Sequence, residues 1–283
     1  METVNNLLLN RVFTRNTFYE LLDTAYDEAY CAAVNRYISS PSGKKQRQII
    51  NEIYEVLNNE YRNEYYYKNT LLNKLLLGIH SPATTTALSE VPVGKSKADF
   101  ILINGKAVVY EIKTELDNLD RLESQLVDYF KAFTNVCVVT SESSYETVKK
   151  KLYGSNVGIY VLTKRNTISL RKEAIDDFSN INLNTIFKIL RKNEYEHIIK
   201  AYYGELPNVS QFSYYSECKK LFEAISKDLA YKLFICELKR RKKIDVDLFK
   251  QVPKELKSIV YFSEYKAGDY YKLSEFLLSE FGG

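Results

Sequence analysis

The strongest constraint on the fold is the dipeptide Asn104-Gly105, which separates two short apolar runs, 99–103 and 106–114. Asn-Gly between runs of this kind is the strongest short-range signal for a β-hairpin. Both runs are too short for helices and are rich in β-branched and aromatic residues, which favours strands. The sequence therefore predicts an antiparallel strand pair here, and the run 84–93 predicts a further strand before it.

Helical and strand patterns alternate on either side of this hairpin. A helical stretch over 44–77 precedes the first strand, and the segment 116–133 repeats apolar residues at helical spacing after the third. The later segments read as a buried strand over 135–140, a helix over 142–152, a strand over 157–163 and an edge strand over 167–170. This order predicts an α/β fold with a mixed sheet.

Helical patterns occupy both ends of the chain. Residues 10–39 read as helix with Asn16 as a cap, and Ser39 to Gly43 is a break. Strand signals fade after about residue 171, and the segments near 182–203, 213–243 and 270–281 look helical. The sequence therefore predicts an N-terminal helical segment (1–57), a core (58–170) and a helical C-terminal region (171–283).

The third predicted strand carries an acid and a base at its end. Glu111 and Lys113 are two residues apart, so their side chains share one face of the strand. Burying these charges at the end of an apolar strand is costly unless they bind something. One interpretation is a site for a ligand, and the other is a structural ion pair between Glu111 and Lys113.

The hairpin register decides whether Asp99 joins these residues. In a plain two-residue hairpin Asp99 faces Tyr110, on the side of the sheet away from Glu111. A three-residue connection with Gly105 in the left-handed region shifts the register by one and brings Asp99 to the face of Glu111. A metal site therefore requires a bulged or longer loop at 103–106, and we predict one.

The pattern of Asp99, eleven intervening residues, Glu111, one residue and Lys113 resembles the PD-(D/E)XK nuclease superfamily. That fold has a helix, three antiparallel strands, a helix and a strand, and the order predicted above matches it over about 58–140. The proline-aspartate pair of the name is absent, because Asp99 follows Ala98. The resemblance implies a restriction-endonuclease-like αβββαβ core, flanked by N-terminal helices and a C-terminal helical region.

Two further features extend the resemblance. Gln125 and Tyr129 are four residues apart, on one face of the helix after the third strand. This spacing is similar to that of the helicase-associated exonuclease branch, where the pair orients the active site and the nucleic acid. The alternative is a Tyr129 in the apolar stripe beside a solvated Gln125. The superfamily also implies an acid on the helix before the first strand, for which Glu64 is the candidate and Glu60 the alternative; both are also explained as surface glutamates.

Asp99 and Glu111 offer hard oxygen ligands, which suit Mg²⁺ or Mn²⁺ rather than zinc. The resemblance adds the backbone carbonyl of Ile112, and Glu64, as metal ligands. Lys113 is expected to orient the attacking water or to stabilise the transition state. The resemblance thus implies a metal-dependent phosphodiesterase, with the catalytic residues Asp99, Glu111, Lys113, Gln125 and Tyr129.

Composition argues against several other classes of protein. The cysteines Cys31, Cys137, Cys218 and Cys236 match no zinc spacing, and two histidines leave little material for a zinc hydrolase or a Ser-His-Asp enzyme. We expect four reduced thiols in a cytoplasmic protein. No run of about 18 apolar residues exists, and the start does not resemble a signal peptide, so no membrane span is expected.

Charge allows a nucleic-acid partner without requiring one, because the net charge is 40 − 36 = +4. The basic run Lys239–Lys243 can contact phosphates or can be a solvated helix end. We expect DNA as substrate, with RNA and a homodimer left open. The alternatives are a nucleic-acid-binding module with a catalytically silent core, and a partner-binding protein that uses the C-terminal helices and the apolar segment 258–262.

Overall fold

The structure is a computed structural model that describes residues 6–241 and 244–282. Its strands are β1 (Thr86–Val93), β2 (Ser96–Asn104), β3 (Lys106–Lys113), β4 (Asn135–Ser141), β5 (Gly158–Leu162) and β6 (Ile168–Lys172). Its α-helices are α1 (Leu9–Val12), α2 (Arg15–Thr24), α3 (Glu28–Tyr37), α4 (Gln46–Glu60), α5 (Glu64–Leu71), α6 (Leu122–Phe130), α7 (Tyr145–Lys151), α8 (Leu183–Ile189), α9 (Lys192–Tyr203), α10 (Gln211–Ala224), α11 (Lys227–Arg240), α12 (Val246–Gln251), α13 (Lys257–Phe262) and α14 (Ala267–Leu278). Lys242 and Lys243 of the basic run lie outside the described residues.

The chain forms two compact units. The helical unit comprises Met1–Ile79 and Lys243–Gly283, and the sheet unit comprises His80–Lys242. The first unit is thus built from both ends of the sequence, whereas the second is continuous. The three segments expected from the sequence divide the chain differently and remain a prediction.

The sheet unit is built on a six-stranded mixed sheet whose strands lie in sequence order. β1, β2 and β3 are antiparallel, β4 and β5 run parallel to β3, and β6 returns antiparallel at the edge. The mixed α/β fold and the order of three strands, helix, strand, helix and strand are therefore confirmed. The parallel crossovers through α6 and α7 follow the usual rule that parallel neighbours are joined by a helix.

The tip of the β2–β3 hairpin confirms the predicted register shift. Ile103 pairs with Ala107 and Asn104 with Lys106, while Gly105 lies between them with φ of +75°. Glycine adopts this left-handed backbone without the steric cost of a Cβ atom. Continuing the register places Asp99 opposite Glu111, on the same face of the sheet.

One face of the sheet forms the main core of its unit. Ile101, Val109 and Val138 are buried there, and α6, α8 and α11 pack on the strands. Phe133 of the loop after α6 contacts Phe234 of α11. These helices come from the middle and the end of the sheet unit, so the residues after 171 complete its core.

The helical unit joins the two ends of the chain through Asn69. Its side-chain oxygen accepts a hydrogen bond from the Ser258 backbone N–H at 2.9 Å. Its amide donates to the Tyr54 hydroxyl at 2.8 Å and to the Lys254 carbonyl at 2.9 Å. Asn69 is fully buried, so its polar atoms need these partners.

The helix over 10–39 is wrong as a single element and is replaced by three short helices. Ala25 has φ of +56°, which ends α2, and the Asp27 side chain caps α3 by accepting from Tyr30 N–H. Thr14 rather than Asn16 caps α2, because its hydroxyl accepts from Thr17 N–H. Asn16 lies inside the helix.

Two other predicted helices also have different limits. The stretch over 44–77 is interrupted between Glu60 and Glu64, where Asn63 caps α5, and it ends in a π-helical turn. The helix after β3 begins at Leu122 and not at 116, because Asp117 accepts hydrogen bonds from the Thr114 backbone and hydroxyl. Such side-chain bonds offer the backbone an alternative to helix.

The C-terminal helices agree in type with the sequence but are shorter. The segment 182–203 contains α8 and α9, and 213–243 contains most of α10 and all of α11. The segment near 270–281 corresponds to α14, which begins three residues earlier, at Ala267. No helix within residues 6–241 or 244–282 is both long and apolar enough to cross a membrane.

Gly94 provides a test of the turn between β1 and β2. Its φ is +63°, and a Cβ atom there would lie 2.7 Å from an oxygen of Asp128. Gly94→Ala should lower the free energy of unfolding by about 2–4 kcal/mol, the sum of backbone strain and disrupted hydrogen bonds.

Gly154→Ala is the matched control, since its φ is +71° and nothing lies within 4 Å of its Cβ position. It should cost only the strain of about 1–2 kcal/mol. Urea unfolding measures both. Equal losses in the two variants would contradict the close packing of Asp128 on Gly94.

Candidate active site

Glu111 lies at the centre of the candidate site and is 1% exposed. Its Oε2 accepts a hydrogen bond from the Tyr129 hydroxyl at 2.7 Å, and its Oε1 lies 2.8 Å from Lys113 Nζ. The Lys113 side chain is 12% exposed. A buried charge is tolerated when it is paired and hydrogen-bonded, and both conditions hold here. The ion pair expected from the structural interpretation is therefore present.

Asp99 reaches the same region from β2. Its Oδ2 accepts a hydrogen bond from the Ile112 backbone N–H at 2.8 Å, where β2 and β3 stop pairing through their backbones. The N–H and C=O groups of a strand residue point to the same neighbouring strand. The Ile112 carbonyl therefore also faces the side of Asp99. Asp99 and Ile112 are thus in direct contact, and Glu111 is the neighbouring residue of Ile112 on β3.

Tyr129 connects α6 to the site. Its hydroxyl lies 2.7 Å from Glu111 Oε2 and 2.8 Å from the carbonyl oxygen of Lys97, so its single hydrogen serves one acceptor at a time. Burial, followed by the nearby Glu111 charge, raises the pKa of Tyr129 well above its ordinary value. Tyr129 therefore stays protonated and acts as a donor.

Gln125 lies one helical turn before Tyr129, and its side chain lowers the pKa of the Tyr129 hydroxyl slightly, against the larger effects of burial and of Glu111. The Gln125 Oε1 atom is buried without a hydrogen-bond partner. The two residues lie on one face of α6, and the role of the Gln-x-x-x-Tyr pair remains a prediction. Tyr129 is fully buried within the apolar stripe, as the alternative interpretation expects, but Gln125 is only partly exposed rather than solvated.

Glu90 is a site neighbour that the sequence did not predict. A carboxylate oxygen of Glu90 lies within 4.8 Å of a carboxylate oxygen of Asp99. The Glu90 carboxylate also lies 3.3 Å from Lys97 Nζ. Glu90 has φ of +56° in the middle of β1, a conformation that costs free energy for a residue with a side chain. In the sequence Glu90 is one polar residue of an alternating strand, which gives no signal of this.

Asp128 holds α6 on the turn between β1 and β2. Its carboxylate accepts hydrogen bonds from Lys95 N–H at 3.0 Å, the Ser96 hydroxyl at 2.9 Å and Lys131 Nζ at 2.8 Å. Burial raises the pKa of the Asp128 carboxyl, but these donors outweigh it and the net pKa is lowered. Because Tyr129 is the next residue, this contact also fixes the tyrosine over Glu111.

Glu64 belongs to the helical unit. It is the first residue of α5, is exposed, and lies 2.9 Å from Lys68 Nζ. The alternative, Glu60, ends α4 and is also exposed. The role of either acid as a metal ligand remains a prediction.

The two arginines of the basic run are paired with acids of their own unit. Arg241 contacts Glu194 at 2.6 Å in a largely buried pair, and Arg240 contacts Glu237 at 2.6 Å. Burial raises the pKa of Glu194, but hydrogen bonds from Arg241 outweigh it and the net pKa is lowered. Arg241 therefore links the end of α11 to α9, and Arg240 forms an ion pair within α11.

A cavity of about 410 Å³ lies on the opposite face of the sheet. Tyr110 and Tyr160 line it, and Lys106 Nζ at its edge lies 3.3 Å from Asn135 Oδ1. Glu111 does not line this cavity. The cavity is therefore separate from the predicted catalytic residues.

The donor set fits a hard divalent cation. Two carboxylates and a backbone carbonyl are the ligands that Mg²⁺ and Mn²⁺ prefer. The buried Gln125 Oε1 is a further polar atom without a partner. Lys113 now supplies the positive charge beside Glu111, so a cation there would have to share or replace that contact.

Comparisons with known proteins place the chain in a family. The model of the family described as bacteriophage P4 protein cII matches residues 57–259. This chain belongs to the bacteriophage P4 protein cII family. The match includes every strand of the sheet and the residues of the candidate site.

Two curated relatives match parts of this cII-family chain. Protein cII of Enterobacteria phage P4 is 28% identical over 128 residues, which is 44% of this chain and 48% of that protein. Very-long-chain 3-oxoacyl-CoA reductase of Bos taurus is 32% identical over 105 residues, 36% of this chain and 32% of the reductase. The matches thus span about half of P4 cII and about a third of the reductase. No solved structure matches significantly.

Tyr129→Phe tests the hydrogen bond that supports Glu111. Removing the hydroxyl leaves the buried carboxylate with one partner fewer, so the free energy of unfolding should fall by about 1–3 kcal/mol. Tyr153→Phe, at a tyrosine that is 92% exposed, is the control and should unfold as the native protein does. Urea unfolding at neutral pH is the measurement. An unchanged Tyr129→Phe would show that the bond contributes nothing.

Asp128→Asn tests the contact between α6 and the turn. Because its folded pKa is lowered, ionised Asp128 stabilises the protein above its unfolded pKa of about 3.9, and this contribution is lost as pH falls through the folded value. The variant should lose about 1–2 kcal/mol at pH 7 and show a flatter decline below pH 4. The exposed Asp120→Asn is the control. Parallel pH profiles for native protein and Asp128→Asn would contradict the assignment.

Proposed function

We propose that this cII-family protein is a divalent-metal-dependent nuclease that hydrolyses phosphodiester bonds, with DNA as substrate. The observation that supports this most is the hairpin register, which sets Asp99 opposite Glu111 while Lys113 lies 2.8 Å from the Glu111 carboxylate. A purely structural hairpin has no need of two carboxylates and a lysine at its end.

The roles follow from charge. A bound Mg²⁺ or Mn²⁺ would polarise the phosphate and lower the pKa of a coordinated water. Asp99, Glu111 and the Ile112 carbonyl would hold the ion. Lys113 would orient the water or stabilise the negative charge that develops on the phosphate. Tyr129 and Gln125 would fix the orientation of Glu111, and Glu64 is proposed as a further acid.

The setting is also part of the proposal. The four cysteines are free thiols, which agrees with a reducing, cytoplasmic location. The proposal is compatible with a homodimer that cuts both DNA strands. It is also compatible with RNA as the substrate. The activity of the reductase is not carried over, because the chain contains no G-x-G-x-x-G dinucleotide fingerprint.

The second candidate is a nucleic-acid-binding module with a silent nuclease-like core. The observation that favours it is the direct contact between Glu111 and Lys113, since a carboxylate in an ion pair is less available to a cation. Such a module would bind DNA in a salt-dependent way, because phosphate contacts release counterions. It would not cleave DNA with any metal.

The test is incubation of the purified chain with linear and circular DNA in Mg²⁺, Mn²⁺ or EDTA. The native protein should cleave only with metal, and Glu111→Ala and Lys113→Ala should each reduce cleavage by about 100-fold or more. Glu111→Ala should also weaken Mn²⁺ binding measured by calorimetry, whereas Lys113→Ala should affect turnover more than metal binding. Survival of circular DNA would identify an exonuclease.

Glu146→Ala and Lys149→Ala are the matched controls, because this pair is exposed on α7 of the same unit. Both should cleave as the native protein does. Binding without cleavage under every metal would favour the second candidate. Cleavage that survives Glu111→Ala would overturn the proposed site.

A further inference from the structure

Thr140 lies beside Lys113 in the sheet. The two are paired residues of the parallel strands β3 and β4, just as Glu111 is paired with Val138. Paired residues of neighbouring strands are about 4.8 Å apart and project on the same face. The Thr140 side chain therefore lies on the face of Glu111 and Lys113, one strand away.

The Thr140 hydroxyl has no use in the packing of the sheet. Thr140 is 0% exposed, and its Oγ1 is buried without a hydrogen-bond partner. Leaving a buried hydroxyl unsatisfied costs free energy, whereas valine of the same shape would fill the position without that cost. A group of this kind in a native structure calls for an explanation, and a function is one of them.

The neighbouring Lys113 gives the unpartnered Thr140 hydroxyl a function. Glu111 uses Oε2 for Tyr129 and Oε1 for Lys113, so a cation at Oε1 would meet the like charge of the ammonium and favour its displacement. The Lys113 ammonium is largely buried and has three donors and no acceptor, so it needs a new oxygen when it leaves Glu111. Thr140 Oγ1 is an acceptor without a partner at the neighbouring position.

We propose that Thr140 is a positioning residue, which accepts a hydrogen bond from Lys113 when Glu111 turns to a divalent cation. This inference rests on the proposed nuclease function. Thr140 does not touch the substrate. It keeps the ammonium at the face of the site, so that Lys113 can act on the phosphate and does not compete with the cation for Glu111.

Thr140→Val, Thr140→Ser and Thr85→Val test the proposal. Thr85 directly precedes β1, five residues before Glu90, and is likewise 0% exposed with an unpartnered hydroxyl. It is therefore a control for the removal of a buried hydroxyl as such. The probe is Mn²⁺ alone, titrated into the metal-free chain by calorimetry, together with the melting temperature before and after Mn²⁺ is added.

Without metal, Thr140→Val should melt at the native temperature or above it. Its Mn²⁺ dissociation constant should rise about ten-fold, the value of one hydrogen bond to a charged group. Thr140→Ser should restore native affinity, and Thr85→Val should bind as the native chain does. With DNA, Thr140→Val should lower kcat about ten-fold and leave KM unchanged.

Native Mn²⁺ affinity in Thr140→Val would overturn the role of Thr140 and leave the nuclease proposal standing. An equal loss in Thr85→Val would also overturn it, because the effect would then be general to buried hydroxyls. If the proposed nuclease function is wrong, the native chain will not cleave DNA and will bind Mn²⁺ no more tightly than Glu111→Gln. That result would overturn both the nuclease proposal and the role of Thr140.

Discussion

A single buried carboxylate organises the sheet unit. Glu111 is withdrawn from water, and an ionised carboxylate in that position is tolerable only with strong partners. One partner, Lys113, comes from the same strand, and the other, Tyr129, comes from the helix that follows. The carboxylate therefore fixes where α6 docks. Asp128 then links the same helix to the turn between β1 and β2, so one helix holds both the site and the edge of the sheet.

The sequence predicted the sheet well because its signals are local. Two short apolar runs with Asn104-Gly105 between them specify a hairpin, and the prediction of a metal site at Asp99 and Glu111 specified its register. Helix limits were predicted less well. At Thr14, Asp27 and Asn63, side-chain oxygens capture backbone N–H groups and begin new helices inside continuous helical patterns. Several residues compete for such a cap, and hydrophobic spacing does not choose among them.

Some residues of the candidate site could be predicted from local sequence patterns, and others could not. Asp99, Glu111, Lys113 and the Gln125–Tyr129 pair were predicted because a short motif and a four-residue spacing display them. Glu90, Asp128 and Thr140 were missed, because their neighbours come from other strands and from turns. Pairing across a sheet depends on register between distant segments, and a residue such as Thr140 in a buried strand looks like ordinary core. The division into two units likewise depends on contacts between the two ends of the sequence, which local patterns do not display.

The discontinuity of the helical unit also sets an order of assembly during synthesis. Its N-terminal part leaves the ribosome first, yet Asn69 finds Ser258 only after the whole sheet unit has been made. The sheet unit is continuous, so all of its strands and their covering helices emerge together and can fold as a unit. The N-terminal helices therefore keep their apolar faces exposed until the C-terminal segment is synthesised and packs on them.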